Sequence, residues 1–132
     1  MNGMDIARYA QRVVAEIAAV IRRHDAPDKV VIASYTPENY AELNRGPGEM
    51  TYDEHMRTIK AVAELLTRAG IADRVVFQDV DASEYWRWLA RNRIPDSRPA
   101  RGMFADLKYH GKTEEHVNGI EQLRNARMPS DT

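Results

Sequence analysis

Two short apolar runs limit what this chain can fold into more than any other feature: KVVIASY at residues 29–35 and RVVFQDV at residues 74–80. Each is β-branched, bounded by chain breakers and free of the polar alternation of a half-exposed strand. Runs of that kind read as strands covered on both faces. Between them lies one amphipathic helix. Thr51 and Glu54 have the spacing of a capping box, and Met56, Ile59, Ala63 and Leu66 form its apolar stripe, with Val62 beside it. Gly70 stands where a helix C-terminus takes a left-handed residue. Strand, helix and strand make a βαβ unit, whose crossover is expected to be right-handed and whose strands are expected to be parallel.

Helices are expected on either side of this unit. In residues 5–23 the apolar positions Ile6, Ala10, Val13, Ile17, Val20 and Ile21 recur at helical spacing, and Asp5 suits the N-terminal end. Asp81 and Glu84 repeat the capping-box spacing ahead of the next helix. Ser97 caps another, with Pro99 in its first turn, Ala100, Met103, Phe104 and Leu107 on its inner face, and Gly111 at its end. Thr113 is positioned to cap a last helix carrying Val117, Ile120 and Leu123. The expected fold is therefore a small helix-rich α/β domain over residues 1–127, ordered α-β-α-β-α-α-α, followed by a disordered tail at 128–132. A sheet of two strands leaves both edges open. Cover could come from the C-terminal helices, from an unrecognised strand near residues 103–109, or from a second copy of the chain in a homodimer.

Composition narrows the class. The 132 residues are 43% hydrophobic and 30% charged, with a net charge of -1, which fits a globular domain. There is no cysteine, so disulfide and thiolate chemistry are excluded. The N-terminal segment lacks the layout of a secretory signal, and no apolar run approaches the ~18 residues of a membrane span. A cytoplasmic protein with no membrane association is expected. No cofactor is expected either: residues 44–49, NRGPGE, are followed by no G-K-[ST], and G-x-G-x-x-G is absent. The histidines His24, His55, His110 and His116 show no zinc-site spacing, so no metal is expected.

Aromatics and arginines interleave in residues 83–102. On a helical wheel of ~100° per residue, Tyr85, Trp88 and Leu89 share one face, while Arg87 and Arg91 lie opposite. A stacking platform with phosphate clamps needs both on one side, so the segment reads mainly as a core helix. Trp86 sits on the shoulder of that helix beside Arg93. With Arg98 and Arg101 from the following loop, these residues are the expected contact surface for a partner. Charge is segregated: residues 85–112 hold five Arg and two Lys against two Asp, a net of +5, while residues 36–81 hold five basic and nine acidic groups, a net of -4.

In open α/β sheets, ligands sit beyond the carboxyl ends of the strands. That rim collects Ser34, Tyr35 and Thr36 after the first strand, Asp79 and Asp81 after the second, and Asn44 and Arg45 from the long loop at 36–50. Within that loop, residues 38–43 have the pattern of one helical turn. Asp79 and Asp81 have the spacing for a shared cation, and His55 near Asp79 would be a general base. Three functions follow as expectations. The first is an interaction or regulatory protein binding another macromolecule, as a homodimer. The second is an enzyme acting on a phosphorylated or nucleotide substrate at the rim, with His55, Asp79 and Asp81 as catalytic candidates and Tyr35, Asn44 and Arg45 as ligand contacts. The third is nucleic-acid binding through residues 85–112.

Overall fold

The two apolar runs pair as parallel strands, β1 (Val30–Ser34) and β2 (Val75–Asp79), with Val30 opposite Val75 and Ser34 opposite Asp79. The computed structural model describes residues 3–46 and 48–115. Among these the sheet has two strands, and five α-helices surround it: α1 (Gly3–Ile21), α2 (Pro37–Leu43), α3 (Tyr52–Arg68), α4 (Ala82–Asn92) and α5 (Arg98–Tyr109). None of these helices is long and apolar enough to cross a membrane. The protein is a small α/β fold.

Alternation along β1 divides the core in two. Val30 and Ile32 point into a cluster with Ala10, Ile17 and Val20 of α1 and Val62 and Leu66 of α3. Val31 and Ala33 point the other way, into a cluster built on Tyr85, Trp88 and Leu89 of α4 and Ala100, Phe104 and Ala105 of α5. Both faces of the strand are thus covered, which explains why its apolar residues do not alternate with polar ones. Tyr85 and Trp88 are core residues, and their rings stack with centroids 6.1 Å apart. Helix α5 packs across both strands, and the small side chains of Ala100 and Ala105, both wholly buried, keep its approach unobstructed. Residues 103–109, allowed as a strand by the sequence, are helical because their apolar positions recur at i, i+3, i+4 rather than i, i+2.

The amino ends of the strands are closed by polar bonds. Arg74 belongs to a single 3-10 turn (Ala72–Arg74) rather than to β2. It donates from Nε to the carbonyl of Asp28 and from its terminal nitrogen to that of Pro27, each at 2.9 Å. Lys29 Nζ donates to the carbonyl of Asp73 at 2.5 Å. At the carboxyl ends the chain instead turns outward into Tyr35 and the 36–50 segment. That segment contains a complete short helix, α2, where the sequence suggests one turn. Thr36 caps it by accepting from Asn39 N at 3.2 Å. The helix expected after Thr113, with Val117, Ile120 and Leu123, and the tail at 128–132 lie outside the described residues.

Helix α3 begins with both halves of the capping box. Glu54 N donates to Thr51 Oγ1 at 3.1 Å, and Thr51 N donates to Glu54 Oε1 at 2.9 Å. It ends in a left-handed Gly70 (φ 73°), with Ile71 N donating to the carbonyl of Leu66 at 3.0 Å. Thr51 is exposed, so its replacement removes the cap and little else. Thr51→Ala is expected to cost about 1 kcal/mol, read as a lower urea midpoint at unchanged slope. An unchanged midpoint would show that the cap does not hold the start of α3.

Candidate functional site

A partly enclosed cavity of about 140 Å³ opens at the carboxyl end of β1. Its apolar floor is formed by Ile32 and Phe77 of the two strands, Val13 of α1, and Ile59 and Val62 of α3. Its walls carry rings: Tyr9, Tyr35, Tyr40 and His55. Its polar side is made by Asn44, Arg98 and Arg101. For scale, a cavity of roughly 150 Å³ lined by aliphatic and aromatic side chains is enough to hold benzene.

The aromatic wall is a packed cluster. His55 stacks on Tyr40 with centroids 4.8 Å apart and planes at 28°. Tyr35 meets both, at 5.5 Å from His55 and 5.7 Å from Tyr40. Tyr40 is buried, and its hydroxyl donates to the carbonyl of Met50 at 2.5 Å, which staples α2 to the segment leading into α3. Burial, followed by the nearby Glu49 carboxylate, raises the Tyr40 pKa above the ordinary phenol value. Burial alone lowers the His55 pKa to about 4, so the imidazole is neutral at pH 7. Its Nε2 is buried and has no hydrogen-bond partner among the described residues. Leaving such an atom unsatisfied costs about 1–3 kcal/mol.

Arg101 organises the polar side. Its guanidinium clamps Asp96 with two bonds, from Nε to Oδ1 at 3.1 Å and from a terminal nitrogen to Oδ2 at 2.9 Å. It also donates to Asn44 Oδ1 at 2.7 Å and to the carbonyl of Leu43 at 2.6 Å. These last two groups are the C-terminal end of α2, where a cation is favoured. Tyr85 Oη donates to the same Asp96 at 2.6 Å. Burial would raise the Asp96 pKa, but the bonds from Arg101 and Tyr85 outweigh it and hold the carboxyl below its ordinary value. Burial and the bond to Asp96 push the Tyr85 phenol far above its usual value.

The structure brings together five residues marked from the sequence: Tyr35, Asn44, His55, Arg98 and Arg101. It separates others from them. Arg45 turns away to pair with Glu42, with 70% of its side chain exposed. Asp79 accepts from Ser34 Oγ at 2.6 Å, and Asp81 caps α4 by accepting from Glu84 N at 2.9 Å; neither lines the cavity. Among the described residues no group of three or more His, Asp or Glu is placed to hold a metal. Arg101 corrects the expected contact surface: at 9% exposure it lies inside the protein. Trp86 and Arg93 are exposed. The basic segment is also less free than its count suggests, because Arg91 pairs with Glu114, Arg98 with Glu49, Arg101 with Asp96 and Lys108 with Glu84.

Tyr40, Phe77 and Asp96 belong to the site although no motif in the sequence marks them. Asp96 could have been found from its spacing to Arg101 across the start of a capped helix. Tyr40 offers no signal other than its place in α2. No family model matches this chain, and no curated protein or solved structure matches it significantly.

Removing the guanidinium strands Asp96 and the end of α2. Arg101→Met is expected to destabilise by about 2–3 kcal/mol, less than for a fully buried pair because 31% of the Asp96 side chain is exposed. Chemical denaturation checks this, and a change under about 0.5 kcal/mol would contradict the role given to Arg101. His55 sets a second test. An unfolded histidine takes up its proton near pH 6.5, whereas His55 does so near 4. Between these values the unfolded chain binds the extra proton, so stability falls as pH drops from 6.5 to 4. The loss is on the order of 1–2 kcal/mol once the shift is discounted for the ring's partial exposure. His55→Phe removes that contribution, and equilibrium unfolding across this range should show a shallower decline.

Proposed function

We propose that this protein is a small-molecule-binding domain whose ligand enters the cavity at the carboxyl end of β1. One observation carries the reading: an apolar floor and a polar side converge there on a space the size of a single ring. Pockets for small molecules have this make-up, an apolar lining with a few placed polar groups, and they occupy this position in α/β sheets. The reading keeps the rim location expected for an enzyme on phosphorylated or nucleotide substrates but not its chemistry. Asp79 and Asp81 are engaged elsewhere, and both arginines at the cavity already face carboxylates.

A second reading, partner binding as a homodimer, is favoured by the C-terminus of α4. Arg93 is held in the left-handed region (φ 55°), where glycine is the usual residue, and Trp86 is 38% exposed. An arginine kept at a strained position at the end of a helix that also exposes an indole fits a contact role. Under this reading Arg93→Gly stabilises the chain by about 1 kcal/mol and weakens self-association measured by light scattering.

The leading reading is tested by thermal shift against a library of single-ring fragments of positive, neutral and negative charge. A ligand present at about 100 times its Kd stabilises by about 2.7 kcal/mol, which raises Tm by several degrees. Ile59→Trp fills the floor and is expected to abolish those shifts while Tm without ligand stays near wild type. A library with no stabilising member would overturn the reading.

A further inference from the structure

We infer that the outer edge of β2 pairs antiparallel with the same edge of a second copy of the chain, about a two-fold axis at Phe77. The sheet then has four strands, in the order β1-β2-β2-β1. The inference is independent of the cavity reading, and it uses a surface other than Trp86 and Arg93. Three observations carry it.

The first is the direction of the backbone groups. Val80 N donates to the carbonyl of Ser34 at 2.9 Å, just past the last pair of the ladder. The N–H and C=O of one strand residue point to the same side, and successive residues point to opposite sides. Val76, Gln78 and Val80 therefore face β1, while Val75, Phe77 and Asp79 present their backbone groups at the outer edge. Two of those groups are already used: Val75 N donates to the carbonyl of Ala72, and Gln78 Nε2 donates to the carbonyl of Asp79 at 3.1 Å. Among the described residues no hydrogen bond reaches the other four, which are the Phe77 N–H and C=O, the Val75 C=O and the Asp79 N–H.

The second is that these four groups form a self-complementary set. In an antiparallel pair centred on Phe77, the two Phe77 residues exchange both bonds, and Val75 stands opposite Asp79 of the partner subunit. The Val75 C=O accepts from that N–H, and symmetry repeats the bond at the other end. The groups this pairing leaves over, the Val75 N–H and the Asp79 C=O, are the two already bonded within the chain. A parallel pairing in register would set the two Asp79 carboxylates side by side, and like charges opposed across strands destabilise. The two-fold axis puts them at opposite ends, each against a valine. The third observation is side-chain cover. Val75, Val76, Phe77 and Gln78 are half-buried, whereas Val30 and Val31 of β1 are buried. Val76 belongs to neither core cluster, and in the pairing it packs across from Gln78 of the partner subunit. No proline or lysine protects this edge. Four backbone bonds make a small interface, so association is expected to be micromolar or weaker.

Sedimentation equilibrium and amide hydrogen exchange on the full chain, from micromolar to millimolar concentration, test this. The mean mass is expected to rise from 15.1 kDa towards twice that value. Over the same range exchange at the Phe77 and Asp79 amides is expected to slow about tenfold, while the Gln78 amide, bonded to β1, changes little. Asp79→Pro removes one of the four groups, and proline is tolerated on an edge strand whose N–H faces outward. It is expected to hold the chain at monomer mass. Val76→Lys places a charge on the edge and is expected to weaken association about tenfold, so it decides should Asp79→Pro fail to fold. Trp86→Ala is expected to leave the mass curve unchanged. A monomer mass throughout, or a dimer whose Phe77 and Asp79 amides exchange as in dilute solution, overturns the inference. So does association that survives both edge variants, and its loss in Trp86→Ala would then put the interface on α4.

Discussion

A parallel pair of five-residue strands has to be buried on both faces, and the rest of this fold follows from that constraint. Two strands are too narrow to stand alone, so α1 and α3 cover one face and α4 and α5 the other. The turn before β2 and the segment before β1 are bonded to each other at the amino end of the sheet. At the carboxyl end Ser34 and Asp79 bond to each other, but the space beyond them is left open. There β1 runs out under Tyr35, and the sheet hands over to α2 and the start of α3 without filling the space between them. The cavity is the gap left where a narrow sheet ends before its covering helices do.

Arg101 gives that gap a fixed shape. A buried guanidinium with four bonds, to Asp96, Asn44 and the Leu43 carbonyl, joins α5, the segment before it and the end of α2. Asn39 Oδ1 accepts from Ala82 N at 3.0 Å, so α2 is also tied to the start of α4. The Tyr40 hydroxyl then ties α2 to Met50. A helix of seven residues would fray by itself; these polar bonds hold it. Such a network does not make the fold very stable, since a buried ion pair roughly offsets its own desolvation. It specifies one arrangement of the cavity wall.

Much of this was legible in the chain. The strands were readable because burial on both faces removes alternation, and α3 because Thr51, Glu54 and Gly70 mark its ends. The wheel placed Tyr85 and Trp88 inside and Trp86 at the edge. The rim rule found Tyr35 and Asn44. What was not legible depended on long-range pairing. Arg101 read as a surface cation because nothing local shows that a guanidinium will meet an Asp96 carboxylate and a helix end from residues 43–44. His55 reads as a general base oriented by Asp79, yet it packs on Tyr40 and Tyr35, while Asp79 bonds Ser34. Helix α2 was underestimated because its fixing contacts lie in α4 and α5, outside any window that periodicity covers.

The central claim is that the space at the end of β1 is a binding site for a single-ring molecule and not a packing defect. A crystal structure of the protein grown with phenol tests it most directly. One phenol is expected between Ile32, Phe77 and Ile59, with the bonds between Arg101 and Asp96 intact. A cavity closed by inward movement of Tyr35 or Met50, with phenol absent or bound only elsewhere, would contradict it.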